Sequence, residues 1–125
     1  MRTYWIVLAL ICCTIISCGP DTIFVRPRLD TPEQHVVAGY QLFQQGKLED
    51  AYREFDRARE LEPNFIKAYI GLGLTLAQKG KIDAGQAFLN LAKQMANTSE
   101  ALKDVQKGYQ KLEEIKRTHT GLNSP

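Results

Sequence analysis

The chain has 125 residues, a formal net charge of +2, 44% hydrophobic residues and 24% charged ones. That is enough for one ordinary folded domain and too little for two. Lys and Arg are spread among acids, as in Glu49-Asp50-Ala51-Tyr52-Arg53-Glu54, which excludes the clustered basic face of a nucleic-acid binder.

Residues 1–17 read as a targeting segment. Arg2 gives a short basic start, and Ile6 to Ile16 is apolar apart from Thr14. The run is too short for a transmembrane helix, which needs about 20 apolar residues, but suits a signal-peptide core. Cys12 and Cys13 fall inside it and are most simply small apolar residues. The run ends Ile15-Ile16-Ser17-Cys18. An aliphatic residue three before a cysteine, with a small residue directly before it, resembles the bacterial lipoprotein signal. The resemblance implies cleavage before Cys18 and lipidation of its sulfur, with several acyl chains holding the protein to a membrane. Gly19 rather than Asp follows Cys18. By the same resemblance, a Gram-negative host would carry the protein on the periplasmic face of its outer membrane. A Gram-positive host would carry it outside its single membrane. Otherwise the signal is uncleaved or conventionally cleaved, and Cys18 is a bystander. Once processed, the chain would keep one cysteine, so no internal disulfide is expected, and no Cys/His spacing matches a metal site.

Residues 18–30 read as the lipidated end and a tether. Gly19-Pro20-Asp21 and Arg26-Pro27-Arg28 disfavour both helix and central strand. Between them lies the apolar triplet Ile23-Phe24-Val25. Either the segment is a disordered spacer or the triplet docks on the domain that follows.

From residue 31 the chain reads as all helix. Thr31-Pro32-Glu33-Gln34 carries a cap, a proline at the first helical position and a capping-box partner. The first helix is expected to run to about Gln45. The second covers Leu48 to about Leu61, ended by Glu62-Pro63-Asn64. A third covers about Phe65 to Lys79, with Gly80 as its stop, and a fourth about Ile82 to Ala96. Asn97 with Glu100 reads as the cap of a fifth, reaching about Arg117. Residues 118–125 are polar and read as a disordered tail.

One pattern occurs twice, 34 residues apart. Ala38, Gly39, Leu42, Gly46, Ala51, Phe55, Ala58 and Pro63 become Leu72, Gly73, Leu76, Gly80, Gly85, Leu89, Ala92 and Asn97. Six of these eight pairs keep the residue or its size class. A repeat of this length in a helical chain means stacked helix pairs. Gly39, Ala51, Gly73 and Gly85 let paired helices approach closely, while Leu42, Phe55, Leu76 and Leu89 fill the core. Gly46 and Gly80 sit where the chain turns and positive φ is favoured. This order of residues resembles the tetratricopeptide repeat. His35 stands where that family favours Trp, and Leu42 where it favours Tyr. In the second copy Gly85, Leu89 and Asn97 replace the usual Ala, Phe and Pro.

The resemblance implies a short all-α solenoid over residues 31–117: two repeats, about 32–65 and 66–99, and a capping helix, about 98–117. A stack of repeats needs such a cap. Leu102, Val105, Tyr109, Leu112 and Ile115 give the fifth helix one apolar stripe. Lys103, Asp104, Lys107, Lys111 and Glu114 take its other side. Lys107 and Gln110 stand where a third repeat would place Gly and Tyr, so no third repeat is counted.

Catalytic chemistry needs several polar groups converging in one pocket. His35 and His119 lie far apart in sequence, and Glu113-Glu114 reads as a solvated face. No enzymatic activity, cofactor or metal is expected. In the resembled family, the first helices of successive pairs line a concave groove for a partner protein. Carried over, the groove comprises Glu33, Val36, Tyr40, Phe43 and Gln44 with Lys67, Ile70, Leu74, Ala77 and Gln78. Apolar Val36, Tyr40, Ile70 and Leu74 occupy the places where a carboxylate clamp would need Lys and Asn. Apolar grooves accept an amphipathic helix or a strand with aliphatic anchors. The expectation is a lipid-anchored interaction scaffold or assembly factor of the bacterial envelope, in secretion, pilus or outer-membrane assembly. The alternative is a self-associating structural lipoprotein, a homo-oligomer with no dedicated client.

Overall fold

The computed structural model describes residues 30–121. The signal-like segment, Cys18 and the triplet Ile23-Phe24-Val25 lie outside the described residues, as do residues 122–125. Within them the chain forms five helices: α1 (Pro32–Gln44), α2 (Leu48–Leu61), α3 (Ile66–Gln78), α4 (Ile82–Met95) and α5 (Ser99–His119). Each helix packs on its sequence neighbour, and α3 also meets α1 and α5. This is an all-α, tetratricopeptide-like solenoid of two hairpins closed by a C-terminal helix.

Local signals set the helix ends. The Thr31 hydroxyl accepts from the Gln34 amide at 3.4 Å, and Pro32 opens α1. Gly46 and Gly80 have φ of 74° and 85°. There the Lys47 amide donates to the Leu42 carbonyl, and the Lys81 amide to that of Leu76, each at 2.9 Å. This is a left-handed glycine stop, which satisfies carbonyls left over at a helix end. The Tyr69 hydroxyl donates to the Pro63 carbonyl at 2.7 Å and ties the turn between repeats to α3.

Two expectations at α5 need correction. The helix is capped by Thr98, whose hydroxyl accepts from the Ala101 amide at 3.1 Å, and not by Asn97. Asn and Thr both cap well, so residue type could not choose; the extended backbone at Thr98 does. The helix also continues to His119, past the expected end at Arg117. The Thr118 hydroxyl donates to the Ile115 carbonyl at 2.7 Å and the Thr120 amide to the Lys116 carbonyl at 3.0 Å. Lys116, Arg117 and His119 place basic groups where the helix dipole favours them.

The core has two parts. One gathers Val36, Ala51, Phe55, Ala58, Ala68 and Leu72 from α1, α2 and α3. The other gathers Ile70, Leu74, Ala77, Leu89 and Ala92 with Val105, Leu112 and Ile115 of α5. Helix α3 belongs to both, and Ile70 through Ala77 are buried without a break. A helix apolar all round is one enclosed by neighbours. In the expected stripe of α5, Val105, Leu112 and Ile115 are buried but Leu102 is 48% exposed. It falls on the helix flank beyond Tyr109, and Gly108 lies inward instead.

The two hairpins achieve close approach differently. The Phe55 ring is fully buried between α1 and α3. A β-carbon on Gly39 would lie 2.7 Å from it, and one on Gly71 would press against it more closely still. In the second hairpin, a β-carbon on Gly73 would lie 2.7 Å from the Gly85 carbonyl oxygen, and one on Gly85 2.5 Å from that of Gly73. Gly39 therefore makes room for Phe55 rather than for Ala51, whereas Gly73 and Gly85 meet as expected.

Candidate interaction groove

Helices α1 and α5 both pack on α3 but not on each other. The surface of α3 between them forms the floor of a groove. Val36 and Tyr40 of α1 stand on one side, Lys67, Ile70 and Leu74 of α3 lie below, and Asp104, Lys107, Gly108 and Lys111 of α5 stand opposite. An adjoining hollow continues toward the end of α1, lined by Tyr40, Phe43, Gln44, Leu74, Gln78 and Lys111. Eight of the ten groove positions expected from the sequence line these two adjoining hollows; Glu33 and the fully buried Ala77 line neither.

They do not play equal parts. Val36, Ile70 and Leu74 are only 6%, 4% and 6% exposed, so they are core residues whose edges form the floor. Tyr40 is largely enclosed. Its ring stands edge-on to Phe55, with centroids 5.0 Å apart, and burial pushes its phenol up to about 12 with a smaller contribution from the Asp104 charge. An ionised phenolate is disfavoured wherever water is removed from it. Tyr40 is therefore first a packing residue, and removing it together with Phe43 would damage the fold as well as the groove. The side chains left free for a ligand are the exposed rim: Gln44, Lys67 and Gln78, joined by Lys107 and Lys111.

The α5 wall was missed in the sequence. Gly108 is the key to it, since a β-carbon there would lie 2.9 Å from Leu89 and 3.0 Å from Ile70. It performs for α5 the close approach that Gly39 and Gly73 perform for α1 and α3. It stands 35 residues after Gly73, one more than the repeat length, and so falls outside the 34-residue register. With α5 docked through Gly108, Asp104, Lys107 and Lys111 face the groove rather than only open solvent.

His35 has a structural setting. Its Nε2 lies 2.6 Å from Asp30 and its Nδ1 2.7 Å from Glu54 of α2. Arg57 also bonds to Asp30. Partial burial by itself lowers the imidazole pKa, but the two carboxylates outweigh it and hold the group above its ordinary value. The Arg57 guanidinium, then His35, draws Asp30 down to about 2. Both ring nitrogens are engaged within this cluster. The cluster pins the chain entering α1 onto α2. Elsewhere, Lys79 pairs with Glu49 at 2.6 Å across the α2–α3 contact. Among the described residues, no three His, Cys, Asp or Glu side chains converge as a metal site would require. No described helix is long and apolar enough to cross a membrane.

The family model described as TPR repeat matches residues 39–80. The match begins inside α1, takes in all of α2 and ends just past α3; it does not extend into α4, where Gly85 and Leu89 depart from the usual residues. No curated protein matches the chain. Over residues 39–80 the sequence is thus similar to the tetratricopeptide repeat, and residues 32–119 have the corresponding solenoid fold, a type of module whose general role is binding other proteins.

Proposed function

We propose that the protein is a scaffold of the bacterial cell envelope that holds a segment of a partner protein in the groove over α3. The observation that carries the binding part is geometric. Helices α1 and α5 stand apart on α3 and leave an apolar floor under an exposed polar rim. That shape accepts an amphipathic helix or an extended segment with aliphatic anchors. The membrane part rests on the sequence Ile15-Ile16-Ser17-Cys18, which resembles a lipoprotein signal and would anchor the chain through Cys18. Joined, the two give a lipid-tethered assembly factor for a secretion, pilus or outer-membrane complex. The scaffold works by holding its client and needs no catalytic step.

Two measurements test the parts separately. Intact-mass spectrometry of the protein from its host's membranes should give the mass of residues 18–125 plus acyl chains. A mass that retains residues 1–17 without acylation removes the anchor and the localisation with it. A photo-crosslinking side chain at Gln44 of the full-length protein should capture a foreign protein in the host. Capture of only a second copy would instead support a self-associating structural protein, the reading favoured by the general tendency of apolar patches to become oligomer contacts.

A further inference from the structure

The rim of the groove is not electrically neutral. Lys67, Lys107 and Lys111 line it together with one acid, Asp104. The acid is the most enclosed of the four, with 27% of its side chain exposed, against 78% for Lys107 and 46% for Lys111. The salt bridges reduce the excess without cancelling it. Lys107 lies 4.0 Å from Asp104, at the limit of an ion pair, and Lys67 makes none with another described residue. Lys111 is shared with Glu114, one turn further along α5. Lys67 stands on α3, the helix that also supplies the floor residues Ile70 and Leu74, and Lys107 and Lys111 stand on α5, the wall packed beside it.

From this charge pattern we infer that the partner segment is acidic: a helix or strand with aliphatic anchors flanked by Asp or Glu. The inference rests on the groove being a partner site and adds the partner's chemistry. Its apolar side would cover Ile70 and Leu74, while its carboxylates meet Lys67 from one helix and Lys107 and Lys111 from the other. Complementary charge of this kind steers encounter and rejects wrong partners more than it adds affinity. It also counts against the chain's own Ile23-Phe24-Val25 triplet as occupant. That triplet is followed by Arg26 and Arg28 and preceded by a single Asp21, so it would bring cations against lysines.

The test is a displayed library of random 16-residue peptides, panned against the full-length chain held in mild detergent, with empty micelles as the counter-selection. Enriched peptides should combine aliphatic or aromatic anchors with a negative net charge. Their affinity should fall about tenfold in the Lys107→Glu, Lys111→Glu variant, the size expected of a few solvent-exposed ion pairs. It should also weaken as salt rises from 50 to 500 mM. Both lysines are exposed, so the variant should keep its helical circular dichroism; if it loses it, Lys107→Gln with Lys111→Gln replaces it. Enrichment of neutral or basic peptides that still compete at the groove overturns the acidic partner and leaves the partner site standing. Failure of any peptide to bind overturns both, and a dimer in light scattering then points to a second copy as the occupant. Binding of a peptide spanning residues 19–30 in preference to acidic peptides assigns the groove to the chain's own segment and overturns the inference.

Discussion

The two hairpins share a 34-residue frame but are held together by different matter. In α1–α2 the contact is a side chain: the buried Phe55 ring fills the space that Gly39 and Gly71 leave open. In α3–α4 the contact is backbone, with Gly73 and Gly85 face to face. A ring can be trimmed or tilted, whereas a carbonyl cannot move without moving its helix. The first joint should therefore tolerate compensated changes that the second does not.

Removing the ring should have the largest effect. Phe55→Ala empties the middle of the first core part, and truncating a buried aromatic costs about 3–5 kcal/mol. For a domain of this size that is a large share of total stability. Urea unfolding followed by circular dichroism would measure it. A loss below about 1 kcal/mol would mean that Phe55 is not the wedge described.

Next come the glycines, and here the comparison itself is at stake. Gly71→Ala and Gly85→Ala each add one methyl where none fits, and overpacking costs about 1–3 kcal/mol. Their response to a smaller neighbour should differ. Gly71→Ala should be largely rescued in a Phe55→Leu background, because the clashing ring is gone. Gly85→Ala should not be rescued by shrinking Ala77, the side chain nearest the added methyl, to Gly, because its closest clash is with the Gly73 carbonyl. Double-mutant cycles report this directly, since coupling appears only between groups that touch. Equal rescue at both joints would erase the distinction.

How far the sequence could be read follows the same division. The helices, the stops at Gly46 and Gly80, and the Gly73–Gly85 contact were legible, because they repeat within one hairpin at a fixed spacing. Gly71 and Gly108 were not. Each makes room for a side chain on another helix, Phe55 for the one and Leu89 with Ile70 for the other, and such contacts have no period in sequence. The groove was half legible. Its α1 and α3 residues follow from the repeat, but the α5 wall depends on the docking of Gly108. The polar side of α5 reads as solvated face until that docking turns Lys107 and Lys111 toward α3. Burial was also beyond the pattern: Val36, Ile70 and Leu74 fit a groove position equally well whether their tips are free or packed.

A smaller effect lies at the turns, where the hairpins do match. Gly46 and Gly80 have positive φ and nothing within 4 Å of a β-carbon, so alanine there meets no clash. The cost is only that of the left-handed backbone, about 1–2 kcal/mol. Gly46→Ala and Gly80→Ala should therefore lower the melting temperature by similar amounts. A marked difference would show that the two stops are not equivalent.

The smallest effect belongs to a feature of the first hairpin that the second lacks. Asp30, His35, Glu54 and Arg57 join the chain before α1 to α2, and their contribution should depend on pH. The folded-state pKa of His35 is raised, so its protonated form is favoured by folding. The stability it adds is complete below the unfolded value of 6.5 and is lost as pH rises through the folded value. Asp30 runs the other way. Its folded value is lowered to about 2, so its contribution is present above the unfolded 3.8 and fades as pH falls toward 2. The positive end of the α1 dipole works against a charged His35, which keeps the net effect small. The difference in melting temperature between the parent and His35→Gln should therefore be greatest between about pH 4 and 6.5 and should shrink by pH 8.5. A difference that stays constant from pH 5 to 8.5 would mean that His35 acts by packing alone and that the carboxylates on either side do not favour its charged form.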